Sequence, residues 1–149
     1  MDGVSAEEDI EIAVAVDIPH NRRRCIEEMA ERVEWIVEAG LLLFFNNRLF
    51  CGMGIDGERM LSYSGGIRTH WREPAPATDR IALRIRNDQH IVTGWYRLPG
   101  GQWTRHAIRY ETSGYHANTV GDLLSLRPAL YAVGPGEATF RDFRYRALR

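Results

Sequence analysis

Apolar and polar residues alternate from Ile10 to Ile18. Ile10, Ile12, Val14 and Val16 fall on one face, and Glu11, Ala13, Ala15 and Asp17 on the other. A two-residue period is that of a half-buried strand, and Pro19 stops it. From Asn21 to Glu38 the period changes. Ile26, Met29, Val33, Ile36 and Val37 recur at three- and four-residue steps, which predicts an amphipathic helix. Asn21 caps it, Glu28 and Arg32 stand one turn apart, and Gly40 ends it. Three arginines in its first turn oppose the helix dipole and leave its start loosely defined.

After Leu41 the two-residue period returns. It predicts strands at Leu41–Phe45, Arg48–Ile55, Arg59–Ser64, Ile67–Arg72, Arg80–Arg86, Gln89–Arg97 and Gln102–Tyr110. Turns fall at Asn46-Asn47, Asp56-Gly57, Gly65-Gly66, Asn87-Asp88 and Leu98–Gly101. A loop around Gly114, Asn118 and Gly121 leads to a strand at Arg127–Val133, whose Pro128 marks a strand start or a sheet edge. After Gly134-Pro135-Gly136 comes an aromatic strand, Ala138 to Tyr145, in which Asp142 breaks the alternation as a bulge does. Many short strands with close turns predict an all-β fold, an antiparallel β-sandwich, rather than βαβ units. The expected organisation is a loose segment over 1–9 and a single sandwich domain over 10–149, with a helical insert at about 21–38.

At 149 residues this is one domain, large enough to bury a core without disulfides or metal. The formal net charge of −1 argues against nucleic acid and against a polybasic membrane contact. All 19 basic residues are arginine. They spread along the whole chain, so GC-rich coding explains them more simply than dedicated anion sites do. Cys25 and Cys51 form no motif and read as free, buried thiols in a reducing compartment. The N-terminus lacks the basic and apolar regions of a signal peptide, and no apolar run approaches the ~20 residues of a spanning helix. A cytoplasmic location is expected. The five histidines show no ligand spacing and no calcium loop is present, so neither metal nor cofactor is expected.

Three further segments carry a resemblance: the Gly114–Asn118 loop (GYHAN), Ser125–Ala132 (SLRPALYA) and Phe140–Leu148 (FRDFRYRAL). With Ala39–Phe45 (AGLLLFF), Cys51–Tyr63 and Leu83–Thr93, they resemble, in order, the C-terminal concanavalin A-like (jelly-roll) β-sandwich domain of family 43 glycoside hydrolases. In that β-xylosidase and arabinofuranosidase group, the domain follows a catalytic propeller. The resemblance implies a non-catalytic accessory domain of xylan or arabinan processing, with a propeller as partner. Two departures stand out: the 21–38 helix is an insert, and the strands that the family domain carries before the equivalent of Ile10 are missing. An uncovered sheet edge or helix stripe (Ile26, Met29, Val33, Ile36) then predicts a homodimer. The alternatives are a free-standing lectin-like module and a structural remnant with no ligand.

No catalytic residue is assigned, because the family's acids belong to the propeller. Sugar binding calls for aromatic platforms beside planar polar groups. The candidates for an oligosaccharide are Trp71, Trp95, Tyr96, Tyr115, His116 and Asn118. Trp103, just after a glycine turn, reads as core. A two- or four-residue hairpin loop at Asn87-Asp88 puts Arg84 and Trp95 on one face, and a three-residue loop reverses this. Ala117 replaces the second histidine usual beside His116 in the family.

Overall fold

The computed structural model describes residues 10–18, 38–57, 59–74, 80–121 and 125–147. The strands are β1 (Ile10–Asp17), β2 (Glu38–Phe44), β3 (Phe50–Ile55), β4 (Arg59–Ser64) and β5 (Ile67–Pro74). They continue with β6 (Arg80–Asp88), β7 (Ile91–Arg97), β8 (Thr104–Glu111), β9 (Arg127–Val133) and β10 (Thr139–Ala147). Two five-stranded sheets result, ordered β10-β1-β6-β7-β8 and β5-β4-β3-β2-β9. Every pairing is antiparallel. This is the expected β-sandwich.

The core forms where alternation said it would. Ile12, Val14 and Val16 of β1 and Ile81, Leu83 and Ile85 of β6 meet Leu41, Leu43, Cys51 and Met53 of the second sheet. Gly94 lets the sheets approach at one point: a Cβ there would lie 2.9 Å from the Met53 sulfur. Two glycines of the second sheet, Gly40 and Gly54, stand opposite each other, and the Tyr131 ring lies against both. The Tyr131 hydroxyl donates to Glu38 Oε1 at 3.1 Å, and its ring meets Tyr63 edge-on at 5.6 Å. Glu38 in turn pairs with Arg68 at 2.7 Å. That polar cluster ties β9 to β2 and β5 on the outer side of the second sheet.

Several expectations shift by a residue or more. The helix proposed for 21–38, with its stripe, lies outside the described residues except for Glu38, which opens β2 as a strand residue. The expected Asn87-Asp88 turn lies two residues later. β6 runs on through Asp88, and Gln89 and His90 take the turn with φ of 48° and 68°. Two left-handed residues make the mirror-image turn whose twist suits a two-residue hairpin, although neither is the glycine or asparagine that adopts it cheaply. Asn87 instead faces inward and is buried. Likewise the β3–β4 turn centres on Gly57, with φ of 87°, flanked by the paired Asp56 and Arg59. The expected bulge is present: Asp142 and Phe143 face the single residue Val14, and Asp142 has φ of 53°. Pro128 sits on β9, an edge strand, where its missing N–H costs no ladder bond.

Cys51 is free and buried, and burial pushes its thiol up from 9.0 to about 12. Burial pushes the Tyr110 phenol up from 10.0 to about 12 as well. Both groups ionise in the unfolded chain first, so above pH ~9 the folded state holds more protons. Stability then falls as pH rises, by about 1.4 kcal/mol per pH unit for each group. Urea midpoints compared at pH 8 and pH 10.5 should show that loss, and Cys51→Ala should make it smaller. An unchanged midpoint would show that the two groups are not buried as described.

Candidate functional site

Ala13 and Ala15 of β1 and Ala82 of β6 present small side chains on the outer face of the first sheet, opposite the core. They line a groove of about 670 Å³. On one side stand Arg84, Arg97 and Trp103, and on the other Phe143, Arg144, Tyr145 and Arg146 of the bulged edge strand. Phe143 and Tyr145 are half exposed.

Trp103 is held between arginines: the Arg84 guanidinium lies 3.9 Å and that of Arg97 4.7 Å from its ring centre. Such cation–π contacts fix long side chains that would otherwise be mobile. The Nε of Arg84 is buried and has no hydrogen-bond partner among the described residues, and its distance to Glu11 Oε1 is 4.0 Å. Glu11 is bound more closely by Arg146, at 2.8 Å. Asp17 is held by Arg80 and by Arg141, the latter at 3.3 Å.

The register extends this picture over the whole face. Arg80, Arg84 and Arg86 alternate with the buried residues of β6 and point outward. Arg97 lies opposite Ala82, and Arg105 and Arg109 lie opposite Trp95 and Thr93. Arg141, Arg144 and Arg146 lie opposite Ala15, Ala13 and Glu11. Among the described residues the spread of arginine along the chain becomes concentration in space: nine of the chain's 19 stand on one sheet face. Five described carboxylates share that face and its rim: Glu11, Asp17, Asp88, Glu111 and Asp142.

The sequence candidates do not gather into one site. Trp95 pairs with Arg84 on the outer face, as a two-residue hairpin loop requires, and Arg105 lies 5.8 Å over its ring. Tyr96, one residue on, faces inward and packs against the core, which is a structural role. Tyr115 also packs against the core. Its hydroxyl accepts from the Gly65 N–H at 2.8 Å and reaches the Phe50 carbonyl at 3.4 Å, fastening the loop after β8 to the other sheet. Burial raises its pKa above the ordinary tyrosine value. His116 and Asn118 are exposed, at the start of a single helical turn, α1 (Ala117–Val120). Trp71 belongs to β5, and its side chain lies outside the described residues.

Trp103, expected in the core, lines the groove instead, because it precedes β8 and follows the Leu98–Gly101 turn onto the outer face. The groove residues that the sequence reading passed over are Arg84, Arg97, Phe143, Arg144 and Tyr145. Their signal was the arginine alternation in β6 and β10, which becomes a shared face only once both strands flank β1. No group of three or more potential metal ligands occurs among the described residues.

No family model matches the chain, and no curated protein does. Solved structures do. A family 43 glycoside hydrolase from Bacillus licheniformis superposes with a TM-score of 0.68 at 14% identity, over 95% of this chain and 28% of that one. A xylan β-1,4-xylosidase from Bacillus halodurans gives 0.66 at 11% identity, over 93% of this chain and 28% of that one. A protein of unknown function from Saccharomyces cerevisiae gives 0.57 at 10% identity, over 95% of this chain and 71% of that one. The chain thus spans little more than a quarter of the hydrolases it resembles, and its fold is that of the C-terminal β-sandwich of family 43 glycoside hydrolases.

Proposed function

We propose that this protein is a non-catalytic accessory module of carbohydrate processing, serving a catalytic unit that acts on xylan- or arabinan-type chains. The observation that supports it is the superposition of nearly the whole chain on about a quarter of a xylosidase. The carboxylates add to it. Glycoside hydrolysis needs a proton-donating carboxylic acid and a second, free carboxylate across the scissile bond. Around the groove, Glu11 and Asp17 are instead engaged by Arg146, Arg80 and Arg141. On the second sheet Glu38 is engaged by Arg68 and Tyr131.

The expected result is no turnover of aryl xylosides or aryl arabinofuranosides by the purified chain. Turnover abolished by Glu11→Gln or Glu38→Gln would overturn the non-catalytic reading. A second reading, a free-standing module that binds oligosaccharide by itself, is favoured by the yeast likeness: there the same fold makes up most of a chain. Oligosaccharide affinity that an added family 43 propeller leaves unchanged, with no complex formed between the two proteins, would favour it.

A further inference from the structure

We propose that the arginine-rich outer face of the first sheet binds an acidic polysaccharide, a chain of sugars carrying carboxylates such as uronic acids, with its central contact in the Arg84–Trp103–Arg97 groove. The inference rests on the carbohydrate reading above and names the class of chain.

Charge comes first. Among the described residues, nine arginines against five carboxylates leave an excess of four positive charges on this face. The arginine guanidinium is the group suited to carboxylate, because its planar fork offers two parallel N–H donors.

Pre-organisation comes next. Arg84 and Arg97 are stacked on Trp103 and do not have to be ordered by the ligand. Arg84 brings to the groove wall a buried Nε–H that has no hydrogen-bond partner among the described residues. Arg144, on the opposite wall, is exposed and lies across from Ala13.

The apolar lining then indicates sugar. Ala13, Ala15 and Ala82 form an apolar floor beside the Trp103 ring, a surface on which the C–H face of a pyranose can lie. Nucleic acid suits the face less well. A duplex presents one negative charge per ~1.7 Å of axis, and the five interleaved carboxylates would repel such a dense array. A sugar chain with one carboxylate per unit, or fewer, can thread between them.

Isothermal titration with a galacturonate decamer, with neutral xylohexaose and with oligo-dT tests the proposal, each in 50 and 300 mM salt. The galacturonate decamer should bind, at least about tenfold more tightly than xylohexaose, and should weaken in the higher salt. The Arg97→Gln, Arg144→Gln double variant alters two exposed side chains and should keep the wild-type melting temperature. It should weaken galacturonate about tenfold or more, the scale of losing charge-assisted hydrogen bonds. Arg97→Lys should recover only part of that loss, since it restores the charge but not the fork.

Absence of galacturonate binding, or binding that the double variant leaves unchanged, would overturn the proposal. So would oligo-dT binding more tightly than galacturonate. Equal affinity for xylohexaose would overturn it as well, while leaving the accessory-module reading intact. That reading fails separately, through turnover of aryl glycosides.

Discussion

Leu83→Ala is expected to cost about 2–5 kcal/mol of folding stability. Leu83 is fully buried in the middle of β6, paired with Val14 on one side and Tyr96 on the other. Its side chain points into the space between the sheets, where Leu41, Leu43 and Met53 approach from the other side. Leu83 is flanked by paired strands on both sides, so the surroundings collapse only partly into the space that the three missing carbon atoms leave. At about 2–4 °C per kcal/mol for a domain of this size, the melting temperature should drop by about 5 to 20 °C. The comparison is Leu130→Ala on edge strand β9, where the side chain is 40% exposed and the loss should stay below about 1 kcal/mol. Urea denaturation of both variants gives the two values. Equal losses would mean that the core does not lie between the sheets.

A second large effect is expected from adding a single methyl group. Gly40 has no left-handed φ, so alanine suits its backbone, and the obstacle is space. A Cβ at Gly40 would collide with the Met53 carbonyl oxygen, lie 2.5 Å from the Gly54 Cα and lie 2.8 Å from Tyr131 Cε1. The first two are backbone atoms of the neighbouring strand and cannot swing aside. Gly40→Ala should therefore cost about 1–3 kcal/mol, toward the upper end, with a change in the near-ultraviolet signal of Tyr131. Gly114→Ala is the control: nothing lies within 4 Å of its added Cβ. It should leave stability unchanged or raise it by about 0.4–1 kcal/mol, because the unfolded chain loses freedom. A neutral Gly40→Ala would show that β2 and β3 stand further apart there.

The strands were legible because their inward residues are apolar and their outward residues are not. β1 and β6 carry inward Ile12, Val14, Val16, Ile81, Leu83 and Ile85 at every second position, until Asn87 takes the next inward place on β6. The bulge at Asp142 was legible too, since one residue out of phase must go somewhere. The turn after β6 was not. Asn87-Asp88 has turn composition, yet the Asn87 side chain takes an inward position beside Val92, and tertiary pairing overrode local preference. The candidate site was hidden for a different reason. Alternating arginines in β6 and β10 read separately as solvated faces, and only the order β10-β1-β6 joins residues some sixty positions apart into one surface. Trp103 was misjudged because a tryptophan after a turn has no period to place it. The two arginines that cover it come from β6 and β7.

An arginine-only face behaves differently from a lysine face when the solvent changes. Lysine discharges near pH ~10.4, whereas the guanidinium stays charged above pH ~12. The positive charge of this face therefore does not fade with rising pH as that of a lysine face would. A lysine face would lose its attraction for a negatively charged surface in alkali, and this one keeps it.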